Sequence, residues 1–536
     1  MNQLSTCQGR YAENEPVKLL LSQNIHADHA DWRMTHLEKE ILSGSLPVMH
    51  TKQELILPSL KEGGYGVEIA LYRKGAFLTK LNTAVNVGSS VVRYGFLCDF
   101  QEEDSDAVST LAEYHITHVQ FYDWSWRHDS LVAPQEAYQD MMGKHNSLTA
   151  IRKRIAGCHQ RGMMAMAYGA VYAASRSFRE AHPSWGLYGA GGQPLVFFDT
   201  FYYMDLDSPW KEHLIHEYQK AVTEVGFDGI HMDTYGEPKT AFTLKGGKRF
   251  LRDSFPMLIK DTAAAMKGSG IQPHLIFNNV GAWPVEKTRD CPQDAVYMEL
   301  WPPMDRYRYL RTAVQKAGNH PVVLAAYPAA FRTDQPDRAL CSQILLSFAI
   351  AMHGATQLFI GEKNAVVTQG YYADYTRLTE DQITRIREYE DFFVRYGDLL
   401  YDRSLEDVTY THFGGDNVEY RMDVPSSADG DPDKIWITIR ENESRKLIGL
   451  VNLCGVQDDY WNTGKDKPVP QRNIVLHTLV DKEPDAVWYA SPDQHSGHPM
   501  QIPFTASYHP FGLEITFTIP SLLCCGLVWI HCPRDE

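Results

Sequence analysis

Long hydrophobic runs are missing from this sequence. None approaches the roughly 18 residues that a membrane-spanning helix needs. The opening MNQLSTCQGRYAENEP lacks the basic-then-apolar order of a secretory signal. Positive charge is scarce: 51 Lys and Arg stand against 67 Asp and Glu, a formal net charge of -16. Nucleic acid and anionic membranes are recognised by cationic surfaces, so neither is expected as a partner. A neutral substrate fits better, and 12% aromatic residues suit one that stacks on rings. Cysteine is sparse and scattered. The nine residues (Cys7, Cys98, Cys158, Cys291, Cys341, Cys454, Cys524, Cys525 and Cys532) form no CxxC pair, as in a reducing compartment. With no signal in view we expect a cytoplasmic protein, secreted only if a signal has been trimmed.

Absent motifs exclude further classes. No GxGxxG follows the first strand of the central region, and neither GxSxG nor HExxH occurs. GLYGAGGQ (186–193) lacks the Lys-Ser/Thr of a phosphate-binding loop. It reads as a flexible loop able to wall a cleft. HADHAD (26–31) gathers His26, Asp28, His29 and Asp31, but in a region of short strands, and we expect neither a metal nor an organic cofactor.

What is present divides by period. Residues 1–93 alternate in short pieces such as PVKLLLSQ and GYGVEIALYR, predicting a small β-sandwich; HLEKEILSG is the one candidate helix there. Over residues 94–402, near-continuous apolar strands alternate with amphipathic helices. Strand ends are read at YGFLCDF, HITHVQFYDW, GMMAMAYGAVYA, FDGIHMDTYG, PHLIFNNVGA, DAVYMELWPP, PVVLAAYPAA and TQLFIGEKN. Helices are expected at SDAVSTLAEY, SLTAIRKRIAGCHQ and, with Ser208 as cap, SPWKEHLIHEYQKAVTEVG. Eight such units predict a (β/α)8 TIM barrel, with a doubly wound open sheet as the alternative. Residues 403–536 alternate again, predicting a second all-β domain, with PSSADGDPD (425–433) as an exposed loop.

In a barrel, chemistry sits at the carboxyl ends of the strands. The exits carry Asp99, Tyr122-Asp123-Trp124, Tyr168, His231 and Asp233, Asn278-Asn279, Glu299 with Trp301, Tyr327, and Glu362. Carboxylates, amides and rings with few cations are the chemistry of sugar handling. Asp233, ending the fourth strand, and Glu299, ending the sixth, form the expected carboxyl pair of glycoside hydrolysis. Leu300 and Trp301 are expected to raise Glu299 by desolvation, while His231 and Tyr235 hold Asp233 ionised. QFYDWSWRHD (120–129) offers rings for a sugar face and Asp123 and His128 for hydroxyls. The alternative reading of these acids and rings is caps, ion pairs and core.

The segments RYGFLCDF, VQFYDWSWRHD, GMMAMAYGAVYAA, GFDGIHMDTYG, VYMELWP and YEDFFVRYGDLLYD together resemble glycoside hydrolase family 66, the family of dextranases and cycloisomaltooligosaccharide glucanotransferases. The resemblance implies an immunoglobulin-like domain, a (β/α)8 barrel and a C-terminal Greek-key domain. It implies a retaining, endo-acting enzyme on α-1,6-linked glucan, dextran or isomaltooligosaccharide, with Asp233 as nucleophile and Glu299 as acid/base. Tyr122, Asp123 and His128 match the family's subsite for the attacked sugar. The remaining expected substrate-binding residues are Trp124, Tyr168, His231, Asn279, Trp301 and Glu362. No surplus length fits the carbohydrate-binding insertion of the cyclising enzymes, which favours hydrolysis over transglycosylation; a non-catalytic sugar-binding protein is the third reading. Gly169 stands where a larger polar residue is expected, which would alter a hydroxyl contact.

Overall fold

The computed structural model describes residues 2–101 and 107–532. The first strands form two antiparallel sheets. One orders Gln3–Thr6, Pro16–Ser22 and Lys52–Ser59; the other orders Lys39–Pro47, His29–His36, Gly63–Arg73 and Ala76–Val87. Alternation does the work here. Val17, Leu19 and Leu21 face inward with Leu55 and Leu57, and meet Val67, Ile69 and Leu71 of the second sheet. HLEKEILSG is not a helix. Leu37 adopts φ 51° and turns the chain into a hairpin between His29–His36 and Lys39–Pro47. The cross-strand partners available to Leu42 and Leu46 outweigh the helical propensity of Leu, Glu and Lys.

The central region is a curled parallel sheet. Tyr94–Leu97, His118–Phe121, Met164–Ala170, Gly229–Asp233, Leu275–Asn278, Ala295–Glu299 and Val322–Ala325 pair in chain order. An eighth segment follows in two pieces. Ala355–Gln357 pairs with Val322–Ala325, and Gly361 of Ile360–Gly361 pairs with Phe96 of the first strand. Glu362 then binds the backbone N–H groups of Cys98 and Asp99 at 3.3 and 2.9 Å.

Side chains alternate between the two faces. Tyr94, Phe96, Met166, Ile276, Tyr297 and Val323 form one cluster on the concave side. Ala165, Ala167, Ile230, Met232 and Phe277 pack outward, against helices such as Trp210–Lys220 and Leu251–Gly268. Caps behave as expected at Leu148–His159, where Ser147 Oγ accepts from the Ala150 N–H, and at Glu380–Arg395, where Thr379 and Gln382 form a capping box. The helix after Ser208 begins at Trp210, whose N–H donates to Ser208 Oγ. The helix expected from SDAVSTLAEY is reduced to Ser109–Ala112; residues 105 and 106 lie outside the described residues.

Beyond residue 405 come a seven-stranded and a four-stranded sheet. Their core includes Ile437, Ile439, Ile448, Leu476, Ile515 and Val528. Trp436 and Trp529 leave this core to meet Tyr307 and Tyr396 of the central region, with ring centroids 5.3 and 5.4 Å apart. PSSADGDPD is not an open loop: Ser426–Ser427 pairs with the strand Ile435–Asn442, and Gly430, at φ 73°, packs where a Cβ would lie 2.6 Å from that of Tyr307.

One acid ties three regions together. Glu68, buried in the first part, pairs with Arg33 and with Lys80 at 2.6 Å. It also meets Arg395 of the helix Glu380–Arg395 at 3.7 Å and His498 of the last part at 2.9 Å. Burial opposes its charge, but the bonds from His498, Lys80 and Arg33 win and hold its carboxyl well below the usual range. Stability from a carboxyl depressed in the folded state is full above its unfolded pKa and fades as pH falls below that value. Replacing Glu68→Gln removes the carboxylate from buried Arg395 and from the partly exposed Arg33 and Lys80, and is expected to cost about 2 kcal/mol. In thermal melts the variant should fall by several degrees at pH 7, and the gap should narrow below about pH 4.3, the ordinary Glu value.

Candidate active site

Asp233, Asn278 and Glu299 end the fourth, fifth and sixth strands on the concave face. The Asn278 amide donates to both acids, at 2.7 Å to Asp233 Oδ1 and 3.0 Å to Glu299 Oε2. Sharing one nitrogen bounds these two oxygens at 5.7 Å, the sum of 2.7 and 3.0 Å. The two N–H bonds of a planar amide diverge by roughly 120°, which sets the oxygens about 5 Å apart. Each acid has a second donor: Tyr168 reaches Asp233 Oδ2 at 2.7 Å, and Tyr327 reaches Glu299 Oε1 at 2.8 Å.

Burial raises the pKa of both acids, and the charge of Glu299 raises Asp233 further; the hydrogen bonds pull the other way without cancelling the rise. The pair therefore shares a proton more readily than two isolated carboxyls would. Here the structure differs from the sequence reading. Asp233 is not held ionised by His231 and Tyr235. His231 Nδ1 is 3.0 Å from the Tyr94 hydroxyl, and the Tyr235 N–H donates to the Tyr172 hydroxyl at 2.5 Å.

Beside Asp233, Tyr122 packs against Tyr168 with centroids 5.0 Å apart and stacks on Tyr372 at 4.4 Å and 15°. His128 lies 5.9 Å from Tyr168, and its Nδ1 is buried without a partner. Burial lowers His128 to about 4 and His231 to about 3, so both rings are neutral at pH 7. Asp123 sits in the left-handed region at φ 50°, tolerated by Asp better than by most residues. Burial pushes its carboxyl up to about 7 against the pull of Lys144. Trp301 is 39% exposed, with its ring edge-on to Tyr327 at 5.6 Å.

Four sequence expectations do not survive. Trp124 is fully buried, donates its indole N–H to the Tyr168 carbonyl at 3.1 Å and packs on Phe227, so it is core. Asn279 is fully buried, with its amide on the Phe277 and Tyr297 carbonyls and its oxygen on Thr288; the neighbouring Asn278 occupies the site. Glu362 is fully buried on the backbone just past the first strand. Gly169 faces outward, where a Cβ would lie 2.4 Å from the Tyr218 ring, so its smallness serves helix packing rather than a hydroxyl contact. In HADHAD, His29 meets Asp31 at 3.0 Å and Asp28 accepts from the Lys74 N–H at 2.9 Å, and among the described residues no cluster suited to a metal occurs. In GLYGAGGQ, Gly186 and Tyr188 bridge to Met204 and Phe242, and Gly189–Gly192 forms a turn closed by the Gly189 N–H on the Gln193 carbonyl at 2.9 Å.

Sequence reasoning missed Tyr372, in the loop after the eighth segment. Its hydroxyl meets those of Tyr327 at 3.0 Å and Tyr297 at 3.2 Å. The only sequence signal is the tyrosine density of GYYADY.

Two acids bridged by one amide, walled by rings and neutral imidazoles, make a site for a neutral hydroxylated ligand. Residues 7–527 match the model of Glycosyl hydrolase family 66. The chain belongs to that family. It is 21% identical to a cycloisomaltooligosaccharide glucanotransferase of Niallia circulans, over 92% of this chain and 67% of the relative. It is 21% identical to a dextranase of Streptococcus salivarius, over 64% of this chain and 50% of the relative. It thus spans about two thirds of the first relative's length and half of the second's. The crystal structure of a Paenibacillus sp. cycloisomaltooligosaccharide glucanotransferase complexed with cycloisomaltoheptaose superposes with a TM-score of 0.88 at 19% identity, over 99% of this chain and 100% of that one. The family 66 chain therefore has a multidomain, β-rich fold similar to that structure, and family and relatives together mark it as an enzyme of the glycoside hydrolase type.

A carboxyl raised above its unfolded pKa lowers stability once pH exceeds the unfolded value, and the full loss is reached above the folded value. The substitution Asp233→Asn removes that loss and the repulsion of Glu299. Melting temperature is therefore expected to rise by a few degrees at pH 8, the gain vanishing toward about pH 4, near the unfolded Asp value. A variant less stable than the parent at pH 8 contradicts the analysis of the pair.

Proposed function

We propose that this family 66 chain is a retaining glycoside hydrolase that cleaves α-1,6-glucosidic bonds within dextran or isomaltooligosaccharides. The observation that carries the reading is the amide of Asn278 holding Asp233 and Glu299 about 5 Å apart, the separation of about 5 to 5.5 Å that a covalent glycosyl-enzyme requires. Asp233 attacks the anomeric carbon while Glu299 protonates the departing oxygen; Glu299 then activates the water that releases the sugar. Tyr122, Asp123, His128 and Tyr168 line the side of the attacked sugar, and the exposed ring of Trp301 lies beside Glu299, on the leaving-group side. No metal or organic cofactor is needed for these steps.

Within this reading the curled sheet is a (β/α)8 barrel, supported by the pairing of Gly361 with Phe96 of the first strand. Residues 1–93 and 403–536 are its immunoglobulin-like and Greek-key flanking domains. The same glycosyl-enzyme intercepted by a sugar hydroxyl gives transglycosylation, a second reading favoured by the glucanotransferase relatives.

Incubation with dextran and with short isomaltooligosaccharides tests the reading. Shorter linear products are expected, with the α anomer formed first, and Asp233→Asn is expected to lose about a thousandfold or more in kcat. Intact substrates, or a β anomer formed first, refute it; cyclic or lengthened products assign the transferase reading instead.

A further inference from the structure

Glu299 is not held by Tyr327 alone. The Tyr327 hydroxyl, 2.8 Å from Oε1, is 3.0 Å from the Tyr372 hydroxyl, which is 3.2 Å from that of Tyr297. All three tyrosines are buried. A phenol has one proton to donate. When Glu299 is ionised, Tyr327 spends that proton on the carboxylate and can only accept from Tyr372. Tyr372 then has nothing left to give Tyr297 and accepts from it. The three O–H dipoles are thus forced to point one way, toward Glu299.

The chain does not reverse easily. If Oε1 carried the proton and gave it to Tyr327, the last donor would be Tyr297. The His231 and Tyr297 rings stand perpendicular with centroids 4.9 Å apart, and the imidazole Nδ1 is engaged by Tyr94. Oε2 is occupied by the Asn278 N–H, which only donates.

We propose that Tyr372 and Tyr297 are positioning residues that act through Tyr327 to stabilise ionised Glu299, so that the acid releases its proton to the leaving group and stays ionised as the base. The inference rests on the acid/base role proposed above for Glu299. The groups facing Glu299 are Asp233 across Asn278 on the neighbouring strands, Tyr327 just past the seventh strand, Tyr372 on the loop after the eighth segment and Trp301 just past the sixth strand. Tyr297 stands behind them, with Tyr94 and His231 beyond it. The loop bearing Tyr372 is fitted to the acid. Its Gly370 carbonyl accepts from Tyr122 at 3.1 Å, and a Cβ on Gly370 would lie 3.3 Å from Trp301 and 3.6 Å from Glu299 Oε1.

Phenylalanine at 372 keeps the stack on Tyr122 and the edge contact with Phe96 while deleting only the oxygen. The alkaline limb of kcat/KM, which reports the protonated acid, is expected to move up by about half a pH unit in Tyr372→Phe. The shift should be smaller in Tyr297→Phe and larger in Tyr327→Phe, with KM changing less than twofold in the first two. Infrared titration of the protonated Glu299 carboxyl, assigned by its loss in Glu299→Gln, should show the same order and does not depend on turnover. A Glu299 titration that is unmoved, or moved down, in Tyr372→Phe overturns the proposal even if activity falls. Should that variant fail to fold, the direction of the shift in Tyr297→Phe, remote from the substrate, decides. Loss of all wild-type turnover with the titration order intact would instead refute the hydrolase reading and spare the chain of tyrosines.

Discussion

One amide group sets the distance on which everything else depends. Two carboxyls left alone in a buried mouth repel, and each recovers hydration by turning toward solvent. The Asn278 side chain gives both a donor from a single nitrogen. It fixes the gap between them by covalent geometry rather than by a balance of flexible contacts. The remaining structure serves to bring that nitrogen to the midline. Asp233, Asn278 and Glu299 sit on adjacent parallel strands whose register pairs Met232 with Phe277 and Asn278 with Tyr297. A one-residue slip in the fifth strand would turn Asn278 outward and leave the acids unbridged.

Such a site is costly to hold. Asp233, Asp123, His128 and His231 all lose solvation, and the first two resist ionisation where water would allow it. The offsetting stability lies far from the mouth. Helix Pro336–Met352 is buried along nearly its whole surface, pressed so closely on the C-terminal sheet that a Cβ on Gly449 would overlap Met352. Trp436 and Trp529 close the same junction, and Glu68 joins basic side chains from three regions. The flanking sheets thus act as a brace for a strained centre, which accounts for extensive packing on the side away from the chemistry.

The sequence made strand–helix alternation plain because its apolar runs and caps are strong, and the two acids stood out as carboxyls ending such runs. Parity within the runs was harder to read. Strands buried on both faces carry no polar–apolar alternation, so FNN did not say whether Asn278 or Asn279 faces in. The structure settles it through Ile276, which lies with Tyr94 and Tyr297 on the concave side and shares its parity with Asn278. The same parity turns Gly169 away from the mouth and Tyr168 into it. Glu362 looked like a site acid because a carboxylate ends its strand, yet its Oε1 is held by two backbone N–H groups just past the first strand, a long-range partnership no local pattern encodes. HLEKEILSG failed for a related reason, its hairpin being decided by strands on either side.

The two acids are chemically alike, so the different tasks proposed for them must come from what surrounds them. Tyr168 is the single phenol on Asp233, whereas the phenol on Glu299 is backed by two more. While both carboxyls are free, a charge on either opposes ionisation of the other. In the proposed mechanism, esterification of Asp233 by a sugar removes its charge, and the repulsion disappears. Glu299 is then free to ionise, with its row of aligned hydroxyls already facing it. A carboxyl that must be an acid in one step and a base in the next needs its proton affinity to fall between them. Under the proposed mechanism the fall requires no movement of the protein: forming the covalent bond would remove the opposing charge, and the row of tyrosine hydroxyls would stabilise what remains.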